Sequence, residues 1–194
     1  MSDDQSILES HPFLREDFAA TGEFASGLLA EWMTTRGLDS EAVKQALDGG
    51  ATPAAMLGLG HEHIDALYTQ AYDLLQVGDI ENARSVLTTL LQLEPTNERA
   101  VYAMAASHQL EGNMKRAAEI YAIFTALDAT NPLGYLRVGE CLLALGEVQN
   151  AYDAFDLAAG EAARGNGEPG AEQLAREKMA EAIAAGAEPP ASQG

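Results

Sequence analysis

One spacing constrains this chain more than any other: a pattern written three times with a period of 34 residues between Ile64 and Gly165. Glycine falls at Gly78, Gly112 and Gly146. Alanine follows five residues later, at Ala83, Ala117 and Ala151. A large apolar residue stands four further on, at Leu87, Tyr121 and Phe155. Small residues recur at Ala71, Ala105 and Gly139. Agreement of several registers over two full periods implies one structural unit repeated, since self-similarity at a fixed period of this length marks stacked helical repeats.

The spacing has a direct physical reading. Each unit predicts two antiparallel helices, A then B. The glycine closes helix A, because a helix end favours a residue that tolerates positive φ. Asp79 and Asn113 then stand as N-cap candidates for helix B in the first two units. Small residues allow close helix approach, and the large one fills the gap between hairpins. A lone hairpin cannot bury its apolar face, so three stack to share a core. This is the tetratricopeptide signature, and the competing reading is three unrelated hairpins in a bundle. The expected fold is all-α: three repeats in a short right-handed superhelix, with N-terminal helices and a C-terminal capping helix.

The pattern predicts A helices over 64–77, 98–111 and 133–145, and B helices over 80–93, 114–127 and 148–161. The repeats occupy 64–165, divided as 64–97, 98–131 and 132–165. Residues 1–38 read as an N-terminal helical extension, where Phe24, Leu28 and Trp32 recur at helical spacing. Residues 39–63 form a helical lead-in, with Thr52-Pro53 as a cap and first helical residue. After the Gly165-Asn166-Gly167-Glu168-Pro169-Gly170 break, 166–186 holds a last helix with Leu174, Met179 and Ile183. It is placed to cap the open end of the stack. Residues 187–194 are expected to be a disordered tail.

Composition then narrows function. Thirty acidic residues against 11 basic ones give a formal charge of −19. Such a surface repels nucleic acid and anionic lipid. No run reaches about 18 apolar residues, so no membrane insertion is expected. The N-terminus lacks the apolar core of a secretory signal. A single cysteine, Cys141, excludes an internal disulfide and fits a cytoplasmic setting.

Chemistry-bearing constellations are missing. His61 and His63 flank Glu62, a spacing that puts the two rings on different helix faces, so no metal site is expected. His108 falls at a packing position inside helix A2, and Cys141 at a helix centre. No phosphate loop or nucleophile elbow is present. The chain reads as a non-enzyme without a cofactor.

The informative surface is the concave face lined by the A helices. Its positions are Asp65, Tyr68, Tyr72 and Leu75, then Arg99, Tyr102, Ala106 and Gln109, then Leu133, Leu136, Glu140 and Leu143. Eight of these twelve are apolar or aromatic. A solvated face would be mainly polar, so this one asks for a ligand. An extended, mostly apolar peptide fits, with tyrosines offering a flat face and a hydroxyl. A terminal helix of the chain itself is the other occupant. A groove for acidic chaperone tails would carry lysine, asparagine and arginine where Tyr68 and Tyr72 stand.

Three stretches carry a more specific resemblance. They are Leu47-Asp48-Gly49-Gly50 with Ala55-Met56-Leu57, then Ala66 to Tyr72, then Gly139-Glu140-Cys141-Leu142-Leu143-Ala144-Leu145-Gly146-Glu147. Over about residues 45–163 the chain resembles the class II chaperones of type III secretion systems. That resemblance implies a bacterial cytoplasmic chaperone that binds hydrophobic translocator proteins and keeps them soluble and competent for secretion. It implies groove roles for Tyr68, Tyr72, Leu75, Tyr102 and Leu136. It also implies homodimerisation through the N-terminal helical region, with Phe24, Leu28 and Trp32 as the candidate dimer face or as a segment folded back on the repeats. Some members of that family work with transcription regulators. The alternative is a tetratricopeptide scaffold or adaptor joining other proteins.

Overall fold

The structure is a computed structural model, and it describes residues 49–189. Among these residues the secondary structure is entirely helical. The short α1 spans Pro53–Met56, and three hairpins follow. They are α2 His61–Gln76 with α3 Ile80–Leu93, α4 Glu98–Leu110 with α5 Met114–Leu127, and α6 Pro132–Ala144 with α7 Val148–Ala163. A last helix, α8, spans Ala171–Ala184. The result is a tetratricopeptide-like stack. No helix among the described residues is long and apolar enough to cross a membrane.

Local signals explain the boundaries. Gly78, Gly112 and Gly146 turn each hairpin at φ of +80, +78 and +79. A side chain at such φ is strained, which is why the period carries glycine there. Asp79 caps α3 by accepting from the Asn82 amide, and Asn113 caps α5 by accepting from the Arg116 amide. Glu147 stands at the third such position, and its side chain makes no capping bond. Thr52 caps α1 ahead of Pro53. The α2 helix begins at His61, three residues before the predicted start at 64. There the His63 ring accepts from the Gly60 amide at 3.2 Å, closing the helix start. A second set of caps joins the repeats: Asn97 accepts from the Ala100 amide at 3.0 Å, and Asn131 from the Leu133 amide at 3.1 Å. These two asparagines also stand one period apart.

The core forms three groups along the stack. Ile64, Ala71, Leu87 and Leu90 pack with Ala100 and Ala103 of the next repeat. Val101, Ala105, Tyr121 and Phe124 pack with Cys141 of the third. Leu91 and Met104 touch both groups. Leu136, Tyr152 and Phe155 pack with Ala175 and Ala182 of α8, so the last helix covers the end of the core. That is the role the capping segment was expected to take.

The tail departs from expectation at its start. Gly186 turns at φ +113, and Ala187 is buried in the last core group. The Glu188 amide donates to Gln149 Oε1 at 3.0 Å, and Gln149 Nε2 donates to the Glu188 carbonyl at 3.3 Å. Ala187 and Glu188 therefore belong to the packed body, not to a disordered tail. Apolar burial and a paired amide hold them against the start of α7.

Gly139 marks a close approach between α6 and α7. A Cβ built there would collide with the Phe155 ring, which is fully buried. Alanine gains about 1 kcal/mol over glycine in helix propensity. Overpacking a closed core costs about 1–3 kcal/mol. Gly139→Ala is therefore expected to lower stability by up to about 2 kcal/mol, read as a lower urea midpoint with unchanged slope. A raised midpoint would mean that the ring moves aside freely.

Candidate peptide-binding groove

The A helices α2, α4 and α6 lie side by side, and their side chains reach across from one repeat to the next. Arg99 on α4 donates to Asp65 Oδ1 on α2 at 2.8 Å. Its guanidinium also lies 3.9 Å over the Tyr68 ring. Tyr68 and Tyr72 stack at 6.4 Å with 23° between planes. Arg137 on α6 also reaches back to a tyrosine of the preceding repeat. Its Nε donates to the Tyr102 hydroxyl at 2.9 Å, and its Nη1 to Glu140 Oε2 at 2.8 Å. Burial alone would lower the Arg137 pKa, but the Glu140 hydrogen bond and the Tyr102 contact hold it above the ordinary value. Arg137 thus stays charged in the groove wall.

Below this layer the tyrosines lock onto the second helices. Tyr102 meets Tyr121 and Phe124 edge-on, each at 5.4 Å. The Tyr121 hydroxyl donates to Gln109 Oε1 at 2.9 Å. Burial pushes the Tyr121 phenol well above its usual range, so it remains a donor.

The twelve sequence-chosen positions fare unequally. Tyr72 is 48% exposed and offers open aromatic surface. Tyr68, Tyr102, Ala106, Gln109, Leu133 and Glu140 are half-buried along the same side, while Asp65 and Arg99 are exposed. Leu75 and Leu143 are half-buried and pack on the core. Leu136 is 3% exposed and sits in the core group shared with α7 and α8, so it gives no open groove surface. The open apolar patch is smaller than the spacing predicted, because α8 and α7 draw Leu136 inward. Arg137 is the groove residue the reading missed. It stands one place after Leu136, and only the tertiary structure turns it toward Tyr102. Phe24, Leu28 and Trp32 lie outside the described residues.

Two residues set aside as structural find their partners. The Cys141 thiol is fully buried and pushed up to about 11 by burial, which keeps it protonated and unreactive at neutral pH. His108 Nδ1 lies 3.2 Å from Arg84 Nη1. Arg84 forks onto Glu111 at 2.5 and 2.9 Å, tying α3 to the end of α4. Burial, then the charges of Arg84 and Arg116, lower the His108 pKa below 6.5. The folded state therefore binds fewer protons than the unfolded one in that window. The contribution of neutral His108 is complete above about 6.5, the unfolded value, and is lost as pH falls through the folded value. Urea midpoints should fall between pH 7.5 and pH 5.5 by less in His108→Gln than in the unaltered chain. Equal falls would place the pH response elsewhere.

A stack of helical hairpins with an aromatic inner face defines a tetratricopeptide-like helical-repeat fold. No family model matches the sequence. The low calcium response locus protein H of Yersinia pestis is 28% identical over 117 residues, covering 60% of this chain and 70% of that protein. SycD, the type III secretion translocator chaperone of Yersinia enterocolitica, matches with a TM-score of 0.61 and 25% identity. That match covers 69% of this chain and 98% of SycD. PcrH of Pseudomonas aeruginosa matches with a TM-score of 0.58 and 26% identity, over 66% of this chain and 96% of PcrH. PcrH has also been solved with the chaperone binding regions of PopD and PopB. The homologues of this chain are class II chaperones of type III secretion, with a tetratricopeptide-like helical fold.

Proposed function

We propose that this chain is a cytoplasmic, non-enzymatic chaperone of a bacterial type III secretion system. It captures an extended apolar segment of a hydrophobic translocator in the groove of α2, α4 and α6. The protein keeps that translocator soluble until export. The observation that carries the reading is the stacked pair of Tyr68 and Tyr72, with Tyr72 exposed, on a stack like that of PcrH. Apolar side chains leave water on this surface, while the two hydroxyls make no hydrogen bond among the described residues and can meet backbone groups. The formal charge of −19 keeps a complex with an insoluble cargo dispersed. A homodimer belongs to the same reading, as does a regulator partner.

Co-expression tests this function directly. The hydrophobic translocator encoded with the same secretion system should move into the soluble fraction with this chain. Limited proteolysis of the complex should leave one short translocator segment bound. A translocator that stays insoluble beside a folded, abundant chain would overturn the proposal. Recovery of soluble folded proteins alone would turn the reading toward an adaptor.

A further inference from the structure

We infer that Arg99 and Arg137 are donors that read the backbone carbonyls of an uncharged, extended partner segment in this groove. The inference rests on the groove reading above and deepens it.

The two residues share one arrangement. Each sits on an A helix and reaches the tyrosine of the preceding repeat, 31 residues back for Arg99 and 35 for Arg137. Each has its charge balanced by a carboxylate at 2.8 Å, Asp65 for Arg99 and Glu140 for Arg137. Each is held in orientation by a tyrosine, through the Tyr68 ring or the Tyr102 hydroxyl. A guanidinium carries five N–H donors. Arg99 spends one in hydrogen bonding and Arg137 two, and neither has another hydrogen bond within the described residues. The Arg99 side chain is 59% exposed and that of Arg137 is 35% exposed, so neither side chain is closed off from solvent.

The chemistry selects the occupant. An extended segment entering an apolar groove brings carbonyls that lose water and need donors. Leucine and alanine side chains supply none. A guanidinium is more weakly hydrated than an ammonium and spreads its donors in a plane, so it meets that need at lower cost. The paired carboxylates remove the net charge that would favour an anionic segment.

The test uses the full chain and a synthetic, end-capped peptide of the PopD chaperone binding region. Binding is measured for the unaltered chain, for Arg99→Lys and Arg99→Met, and for Arg137→Lys and Arg137→Met. Circular dichroism and urea midpoints check folding, and the exposed Arg99 keeps the test valid if an Arg137 variant unfolds. Loss of one hydrogen-bond contact corresponds to about fivefold in affinity. Lysine and methionine variants should both lose at least that much, because lysine keeps the charge but not the planar fork. An isotope-labelled peptide carbonyl should also show an infrared shift on binding that disappears in the methionine variants. Lysine variants that bind as the unaltered chain does would make the arginines charge contacts and overturn the inference. Full affinity in both methionine variants would overturn it as well. Absence of binding by the unaltered chain would instead strike the groove reading on which it rests.

Discussion

Phe155→Ala is expected to remove about 3–5 kcal/mol of unfolding free energy. The ring is fully buried at the seam between the third repeat and α8. It packs among Leu136, Ala151, Tyr152 and Ala158. One side of it lies against Gly139, which has no side chain to move into the space. The neighbouring Leu136 and Tyr152 are themselves packed in the same core group, so the gap is only partly filled by their movement. Domains of this size hold about 5–15 kcal/mol in total, so the loss would take a large share. Chemical denaturation at neutral pH would show a lowered midpoint, and α7 and α8 would lose amide protection first. A loss below about 1 kcal/mol would mean that α6 and α7 close the gap, contrary to the packing described. Combining Phe155→Ala with Gly139→Ala should recover part of the loss, since the added methyl then enters open space. Additive losses would show that the two positions do not share one contact.

The double variant Tyr68→Ala, Tyr72→Ala is expected to weaken translocator capture by on the order of 100-fold, which is about 2.7 kcal/mol. Tyrosines at the centre of an interface commonly contribute this much, because a flat ring buries area at little entropic cost. The stacked pair presents such a surface, and Tyr72 is 48% exposed in the free chain. The fold should survive. Tyr72 is outside the buried core, and Arg99 over Tyr68 contributes only about 0.5–1 kcal/mol at an exposed site. Circular dichroism should stay helical while titration calorimetry with the co-expressed translocator segment shows the loss. Unchanged affinity in a folded double variant would remove the groove mechanism and move attention to another surface.

These expectations rest on features of different legibility. The hairpin turns were readable because the backbone itself dictates them. Gly78, Gly112 and Gly146 sit at positive φ wherever the unit repeats. Asp79 and Asn113 cap by bonds three residues away. Thr52-Pro53 is equally local. The small-to-large pairing of Gly139 with Phe155 was also implicit, since a period of tight contacts needs one partner to give way.

The groove was harder. Position within a helix told which side chains face the inner side, but not how far each is covered. Leu136 shares the register of Tyr68 and Tyr102, yet it is buried, because the third repeat is followed by α8 and not by another full hairpin. Arg137 lies one residue outside that register and still enters the groove, because a long side chain can swing to a hydroxyl 35 residues away. Ala187 and Glu188 look like the start of a polar tail, and only the nearby Gln149 makes them part of the body.

By itself the sequence determined the repeat, the helices, their caps and turns, and the acidic surface, since all follow from local backbone preference and from periodic burial. The tertiary structure alone decided which groove residues stay open, which arginines are fastened to which tyrosines, and where the stack ends. Those outcomes depend on contacts between residues one period or more apart, whose geometry is set by how neighbouring hairpins close on each other.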